Sequence, residues 1–378
     1  MRRMSRLDDS PFARLWWSID RPALGVLLLI IVIGGVVLMA AGPTAAARMG
    51  IGGEFHFPLR QLIFMGPALL LMTAIAFLTP LQARRLGVIV FVAALALMLF
   101  LLLFGGEVNG AKRWLYIGSF SLQPSEFAKP GFVIAAAWML AEGARDPKFP
   151  GGVIAIGLYL VFAMLLLLQP DFGQWALVTG VWAVMFFVAG WSWLWIAGLG
   201  AAGMGALTAG YFLSDHVARR VDGFFNPDST ETYQVDRAIE TIANGGWIGR
   251  GEAPPVKAML PDAHTDFIFA VAGEDFGFAL AVIIIILFAI FTARIMATAA
   301  GLKSVFAQCA ATGLAAIIGF QAIINIGVSL RALPAKGMTL PFISYGGSSL
   351  IATGLTVGLI FALTRSHQGV FRRKDIMP

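Results

Sequence analysis

Five ionisable side chains stand together where a long apolar segment begins. Asp262, His264 and Asp266 lead into this segment, and Glu274 and Asp275 lie within its first turns. Charge at membrane depth is costly, so acidic side chains kept there are candidates for function. A partly buried carboxylate that is crowded by other acids has a raised pKa, in the range that suits a general base. The pattern therefore favours proton abstraction.

The sequence supports two interpretations of Asp266. An aspartate at a helix start can accept hydrogen bonds from the first backbone N–H groups and favours the positive end of the helix dipole. Alternatively, Asp266 is the catalytic base, His264 and Thr265 position it and contact substrate, and Glu274 forms part of a cavity wall. The crowding of acids around Asp266 favours the second interpretation.

A second polar region spans residues 109–129. Arg113 stands beside Trp114, a pair that suits the membrane–water interface, where the ring is anchored and the guanidinium can hold a phosphate. The region predicts an outward-facing cavity with Arg113 and Lys129 as substrate contacts and a lining of Trp114, Gln123, Ser125 and Glu126. The alternative is a helix-start cap with a local ion pair, because Glu126 and Lys129 are three apart and share a helix face.

The segment Gln-Pro-Asp-Phe-Gly-Gln at 169–174 predicts a tight turn between two apolar runs. A Pro-Asp pair is ordinary turn chemistry. Its position at the end of membrane-compatible segments leaves the alternative that Gln169 and Asp171 line the cavity.

The segment at 333–349 carries a lysine between prolines and ends in Ser-Tyr-Gly-Gly-Ser-Ser. Small residues allow close helix packing in lipid, which accounts for the glycines. Lys336 has no such structural explanation and is interpreted as a phosphate contact, with Ser344 as a further substrate contact and Tyr345 in the cavity lining. Arg237, in the long loop that precedes Asp266, is another candidate cation.

Composition identifies a membrane protein. The chain has 378 residues, of which 58% are hydrophobic and 13% charged, with a mean hydropathy of +0.82. Soluble domains carry roughly 25% charged residues. A single cysteine excludes a disulfide framework and metal–thiolate sites. The net charge of +6 is scattered over short loops, so we expect no nucleic-acid partner; membrane topology or an anionic lipid substrate explains it.

The predicted fold is an all-α polytopic membrane protein with ten spanning helices, at 22–41, 61–79, 87–104, 124–141, 151–169, 173–189, 192–213, 266–293, 304–328 and 348–364. Both termini are expected in the cytoplasm, because fifteen of the 27 lysines and arginines fall on that side. Cytoplasmic tails at 1–21 and 365–378 then flank a membrane domain at 22–364. One long extracytoplasmic loop, 214–265, joins the seventh and eighth helices.

The long loop and the helix that follows it allow three further predictions. Val235, Ile239 and Ile242 recur at helical spacing, which predicts a short amphipathic helix on the outer leaflet. The glycines of the segment 244–251 indicate sharp turns or close backbone approach. A continuous helix from Asp266 onward would be about 42 Å long, longer than the roughly 30 Å hydrocarbon core. It therefore tilts, or its first turns stand at the outer interface.

These motifs together resemble the SEDS family (shape, elongation, division and sporulation). The segments that carry the resemblance, between about Asp20 and Arg365, are Gln-Pro-Ser-Glu-Phe, Gln-Pro-Asp-Phe-Gly, Tyr-Gln-Val-Asp-Arg, His-Thr-Asp-Phe-Ile-Phe-Ala and Ser-Tyr-Gly-Gly-Ser-Ser. Lys336 makes the chain similar to the division-type branch, since elongation-type members usually have an apolar residue there. Glu274-Asp275 departs from the two glutamates often found in the family, so Asp275 receives no catalytic role.

The resemblance implies a peptidoglycan glycosyltransferase that polymerises lipid II, an undecaprenyl-pyrophosphate-linked substrate, at the division septum of the bacterial cytoplasmic (inner) membrane. It also implies a class B penicillin-binding protein transpeptidase of the FtsI type and other divisome membrane proteins as partners. By the same resemblance, Asp266 matches the family's essential aspartate.

The mechanism expected from this resemblance is inverting glycosyl transfer, with Asp266 as base and the pyrophosphate neutralised by Arg113, Lys129, Arg237 and Lys336. A divalent cation (Mg or Mn) could assist, although no ligand cluster in the sequence demands one. The alternatives are an elongation-type polymerase, a lipid II flippase and a divisome scaffold without catalysis. A flippase needs polar residues through the full membrane depth, and a scaffold has no need for Asp266.

Overall fold

The computed structural model describes residues 10–107, 111–118, 120–213, 218, 222, 230–333 and 337–365. Helices dominate this part of the chain: α1 Pro11–Ser18, α2 Arg21–Arg48, α3 His56–Ala76, α4 Pro80–Phe104, α5 Pro124–Arg145, α6 Gly151–Leu168, α7 Phe172–Val188, α8 Trp193–Leu213, α9 Thr230–Asn244, α10 Ile268–Ala300, α11 Val305–Ser329 and α12 Gly347–Thr364. A short antiparallel hairpin of β1 Leu115–Ile117 and β2 Phe120–Leu122 joins α4 to α5. The fold is thus mostly helical, and the hairpin is a small departure from the all-α prediction.

Each of the ten apolar segments predicted from the sequence coincides with a helix, α2 to α8 and α10 to α12. Several helices begin before the predicted boundary. α4 starts at Pro80 rather than residue 87, because Thr79 and Gln82 form a capping box at its start. α3 starts at His56 rather than residue 61. The physical reason is that polar end turns fall outside an apolar window although the backbone hydrogen bonds continue through them.

Seven of the helices, α2, α3, α4, α6 and α10 to α12, are long and apolar enough to cross a membrane by length and composition. The chain is therefore a multi-pass membrane protein. α7 is shorter, at 17 residues. α5 carries a buried glutamate and lysine in its first two turns, Glu126 and Lys129.

The centre of the bundle is formed by α11 and α12. α12 packs against α3, α11 packs against α5, α7 and α10, and α4 packs against α5. Small side chains on these helices, such as Ala310, Ala311 and Ala315 of α11, are fully buried. Close packing of small residues is how helices associate in lipid. This core holds the start of α5, the end of α11 and the start of α12 next to one another.

α9 confirms the predicted amphipathic helix, but part of its apolar face is covered by protein. Val235 and Ala238 are buried in one cluster with Phe267, Ala270 and Val271 at the start of α10. Ile239 on the same helix is 38% exposed, and its contact with the outer leaflet stays a prediction. α9 buttresses the segment that carries Asp266.

α10 is broken rather than continuous. Gly277 has φ 82° and ψ 172°, so the helical backbone is interrupted ten residues after Phe267. The glycine-rich segment 244–251 docks at this break: the Phe278 N–H donates to the Gly246 carbonyl at 2.8 Å. A Cβ on Gly277 would collide with the Trp247 carbonyl. The expected close backbone approach of these glycines is confirmed.

Gly277→Ala is therefore expected to destabilise the protein. A non-glycine residue at this positive φ costs about 1–3 kcal/mol before the collision with the Trp247 carbonyl is added. Gly157→Ala is the matched control, because a Cβ on Gly157 of α6 meets nothing within 4 Å. Thermal unfolding in detergent should show a lower midpoint for Gly277→Ala and an unchanged or higher one for Gly157→Ala. Equal midpoints for the two variants would contradict the assignment.

Candidate active site

A polar cavity of about 450 Å³ opens where α3, the hairpin, the start of α5 and the segments before α10 and α12 meet. Predicted site residues that line it are Arg113, Trp114, Gln123, Glu126, Thr265, Asp266 and Tyr345. The cavity brings together parts of the chain more than 200 residues apart. The sequence regions singled out by their chemistry thus converge on one place.

Asp266 lies before α10, which begins at Ile268 with Phe267 as its N-cap residue and no side-chain cap hydrogen bond. The interpretation of Asp266 as a helix cap is therefore wrong. Its backbone is fixed instead: the Asp266 N–H donates to the Asp262 carbonyl at 3.0 Å, and Asn325 Nδ2 donates to the Asp266 carbonyl at 2.8 Å. The carboxylate is left to face the cavity, where Gly337 leaves room for it.

The electrostatic surroundings of Asp266 favour its protonated form. Burial, and to a lesser degree the negative charge of Asp262, together raise the pKa of the Asp266 carboxyl to about 7. Asp262 lies on the same turn, at a φ of 50°. A carboxyl with a pKa near neutrality can accept a proton and release it again at physiological pH.

The backbone around Asp266 is clamped to the segment before α12. Ser344 Oγ donates to the Thr265 carbonyl at 2.6 Å and accepts from the Leu340 N–H at 2.7 Å. The Tyr345 N–H donates to the His264 carbonyl at 2.9 Å. Ser344 is buried, so it holds Asp266 in position and does not face the cavity.

His264 lies outside the cavity, packed against aromatic side chains. Its ring is 4% exposed and lies 4.1 Å from the Phe57 ring and 5.6 Å from the Tyr345 ring, measured between centroids. Burial lowers the pKa of His264, so the imidazole is neutral near pH 7. It lines a separate small pocket rather than the cavity. The predicted positioning role fits these contacts, whereas direct substrate contact does not.

Lys129 was predicted to contact substrate, but the structure buries it outside the cavity. Its ammonium lies 2.9 Å from Glu126 and donates to Gln321 Oε1 at 3.3 Å. Glu126 also accepts from Gln174 Nε2 at 2.5 Å. Lys129 is 2% exposed and does not line the cavity. It serves as the counter-ion of Glu126, which itself faces the cavity, and Ser125 is buried beside them in the first turn of α5.

Arg113 faces the cavity from a fixed position. Its Nε donates to the Gln169 carbonyl at 2.7 Å, its NH2 group donates to the Pro170 carbonyl, and its NH1 group lies 3.7 Å from Asp171. Gln123 Nε2 donates to Asp171 at 3.3 Å. Gln169 and Asp171 are buried and do not line the cavity. Their contacts orient Arg113 and Gln123, which do line it.

Two further predicted residues, Arg237 and Glu274, also lie outside the cavity. Arg237 is on α9, where it pairs with Glu240 and stacks on the Tyr233 ring at 5.2 Å. Glu274 is fully buried and accepts from the Lys257 N–H at 3.0 Å, and also from Asn244 and the Val256 N–H. Its predicted place in the cavity wall is wrong. The prediction for Lys336 lies outside the described residues.

Two residues of the site were missed. Arg60 on α3 is half-buried, lines the cavity and has no carboxylate partner among the described residues. Arg60 immediately precedes the predicted apolar segment 61–79. A cation at the predicted outer end of that segment was the feature that could have identified it. Asn325, 1% exposed within α11, joins Asp266 to the Met338 carbonyl. A polar side chain inside an apolar run indicates such a role.

The described residues contain no group of three histidine, cysteine, aspartate or glutamate side chains that could hold a metal ion. A divalent cation at this cavity would therefore need oxygen ligands from the substrate, as Mg²⁺ commonly takes from phosphates.

Comparison with known proteins identifies the family of the chain. The family model of FtsW, RodA and SpoVE, described as "Cell cycle protein", matches residues 21–369. "Probable peptidoglycan glycosyltransferase FtsW" of Caulobacter vibrioides (strain NA1000 / CB15N) is 43% identical over 368 residues, which cover 97% of this chain and 94% of the relative.

Two solved structures are similar over nearly their whole length. A chain from "Structural coordination of polymerization and crosslinking by a peptidoglycan synthase complex" has a TM-score of 0.77 at 30% identity and covers 92% of this chain and 98% of that one. Rod shape determining protein RodA of Thermus thermophilus has a TM-score of 0.67 at 29% identity, with coverages of 92% and 97%. The chain therefore belongs to the FtsW/RodA/SpoVE family, the SEDS proteins that its motifs resemble.

Proposed function

We propose that this protein is a peptidoglycan glycosyltransferase that polymerises lipid II at the outer face of the cytoplasmic membrane. The observation that carries the proposal is the Asp266 carboxylate, which faces a polar cavity instead of capping α10 and has a pKa of about 7. The names of its relatives, which include peptidoglycan glycosyltransferases, support the same activity.

In the proposed reaction, the 4-hydroxyl oxygen of one lipid-linked disaccharide attacks the anomeric carbon at the end of the growing chain. The new C–O bond forms on one face of the sugar as the bond to pyrophosphate breaks on the other, so the configuration inverts. Asp266 takes the hydroxyl proton, and polyprenyl pyrophosphate leaves with the electron pair of the broken bond. Arg60 and Arg113, which face the same cavity, neutralise the charge that develops on the leaving group.

We further propose ten membrane spans with both termini in the cytoplasm, which puts the cavity on the outer side. Polymerisation fits this arrangement better than transport. α5, α11 and α12 also bury an apolar core, whose side chains include Phe132, Ala136 and Leu314 and do not line the cavity. A flippase needs a polar route through that core, and the described residues offer none.

The proposed partner is a class B penicillin-binding protein transpeptidase of the FtsI type, at the division septum with other divisome membrane proteins. Its support is the similarity to a chain of a peptidoglycan synthase complex and to proteins named FtsW. The direct test is polymerisation of labelled lipid II by the purified chain with this transpeptidase. Glycan strands of many disaccharides are expected. Translocation of lipid II without polymer would contradict the proposal.

The rate should depend on pH through Asp266. The protonated carboxyl cannot accept the hydroxyl proton, so the rate is expected to fall as the pH drops below about 7. Asp262 raises the pKa of Asp266, so Asp262→Asn should move this acidic limb to lower pH. Asparagine tolerates the positive φ of residue 262.

The pH–rate profile of polymerisation measures this shift, with the exposed Glu252→Gln as the control. If the acidic limb of the profile stayed at the same pH in Asp262→Asn, the limb could not be assigned to the titration of Asp266.

Arg60→Ala is expected to raise the KM for lipid II roughly tenfold to a hundredfold, because it removes a charge-assisted contact to pyrophosphate worth about 1.5–3 kcal/mol. Arg60→Lys keeps the charge and should recover part of the loss. Arg48→Ala is the control, since Arg48 lies at the end of α2 outside the cavity. Steady-state polymerisation at varied lipid II measures the effect; a KM that changes equally in Arg48→Ala argues against a specific contact.

A further inference from the structure

The glycine-rich segment 244–251, here the glycine loop, exposes two large apolar side chains at its tip. Trp247 is 75% exposed and Ile248 is 88% exposed. We propose that this tip inserts into the outer leaflet, at the boundary between headgroups and hydrocarbon, and so anchors the outer end of α10 to the membrane surface. The inference rests on the topology stated with the proposed function.

The glycine loop and α10 form one unit. The Phe278 and Ala279 N–H groups donate to the carbonyls of Gly246 and Trp247, at 2.8 and 3.3 Å. On the other side of the break, the Arg250 N–H donates to the Glu274 carbonyl at 2.8 Å. Because both sides of the break are bonded to the loop, the depth of the loop in the membrane fixes the depth of α10.

The length of α10 below the break places Phe278 at the membrane boundary. The 23 residues from Phe278 to Ala300 span about 33 Å at a rise of 1.5 Å per residue, close to the roughly 30 Å hydrocarbon core. The Trp247 ring packs edge-on against the Phe278 ring at 5.5 Å, so it lies at the same level. Tryptophan is enriched at this boundary, where its ring is apolar and its N–H is hydrated.

The chemistry of the tip favours lipid over a protein partner. The tip is continuous with the outward face of α10, where Phe278, Ile283 and Ile286 are also exposed. The nearest cation of the loop, Arg250, is turned inward to Asp275 at 3.2 Å, so within residues 244–251 no charge faces outward beside Trp247. An apolar tip without charge that extends a lipid-facing helix fits the interior edge of a leaflet.

The anchoring also bears on Asp266. The first turns of α10, above the break, pack against α9 and carry the Asp266 segment. A fixed depth for α10 therefore holds the carboxylate near the level of the lipid headgroups, where the pyrophosphate of a lipid-linked sugar lies.

The test uses the single cysteine of the chain. Cys309 is buried, and Cys309→Ala gives a background in which Ile248→Cys carries a spin label. Collision rates with oxygen and with a water-soluble nickel chelate, measured in nanodiscs, report the depth of the label. A label at Glu252→Cys, exposed directly after the glycine loop, is the aqueous reference. A label at Ile283→Cys, further down α10, is the reference for the lipid interior.

The label at Ile248→Cys is expected to favour oxygen over the nickel chelate and to read a depth between the two references. Nickel access equal to that at Glu252→Cys would overturn the proposal. Protection that arises only when the transpeptidase is added would overturn it too, since the tip would then be a protein interface. The depth is measured without turnover, so loss of polymerisation activity and loss of insertion are scored separately.

Discussion

Asp266→Asn is expected to lower the rate of lipid II polymerisation roughly 10²- to 10⁴-fold, the usual contribution of a general base. The substitution keeps the shape of the side chain and removes only its ability to take the hydroxyl proton. The backbone bonds that fix residue 266, from Asn325 and to Asp262, involve main-chain atoms of residue 266 and remain possible in the variant. The loss should therefore fall on kcat rather than on folding.

The measurement is polymerisation of labelled lipid II by purified protein with its transpeptidase, alongside lipid II binding and thermal unfolding. Asp275→Asn is a matched control, because Asp275 pairs with Arg250 and Lys257 outside the cavity. Asp275→Asn is expected to lose stability but to polymerise at a near-normal rate per folded molecule. Full polymerisation by Asp266→Asn would refute the base assignment, and normal division with that variant in cells would favour a scaffold.

The helices could be predicted from the sequence because each apolar run must satisfy its backbone hydrogen bonds internally in lipid. The polar ends of these runs also indicated the side of the molecule that carries the site. Asp266, Glu126 and Arg113 were found in this way, and all three line the cavity. The chemistry of single segments is thus readable without knowledge of how they pack.

The assignments that failed depend on packing between distant segments. Lys129 was expected to face substrate, but it is covered by Gln321, 192 residues further along the chain. Glu274 was assigned to the cavity wall because it is an acid in the first turns after Asp266. In the structure, Asn244 and the backbone N–H groups of Val256 and Lys257 bond to its carboxylate and bury it. The sequence of one helix does not predict which of its faces will be covered by a loop from elsewhere in the chain.

The second large effect is expected at the buried Glu126–Lys129 pair. Lys129→Met should cost about 3–5 kcal/mol of stability, because it leaves a buried carboxylate without its counter-ion. The two side chains are 4% and 2% exposed, and their charged atoms are 2.9 Å apart. Only a small part of Glu126 is open to the cavity, so water compensates poorly for the lost ammonium, and the amide of Gln174 offers Glu126 only one neutral hydrogen bond.

The double variant Glu126→Gln with Lys129→Met separates a structural pair from a substrate contact. It removes both charges, so most of the stability lost in Lys129→Met should return, as it does when a buried ion pair is replaced as a whole. Thermal and denaturant unfolding in detergent measure this recovery, and the exposed Lys148→Met should change nothing. If Lys129→Met instead kept its stability and raised the KM for lipid II, Lys129 would be a substrate cation, as its sequence context predicted. The cavity would then have to open between Glu126 and Gln321 when substrate binds, because in the described arrangement both side chains bond to the Lys129 ammonium and cover it.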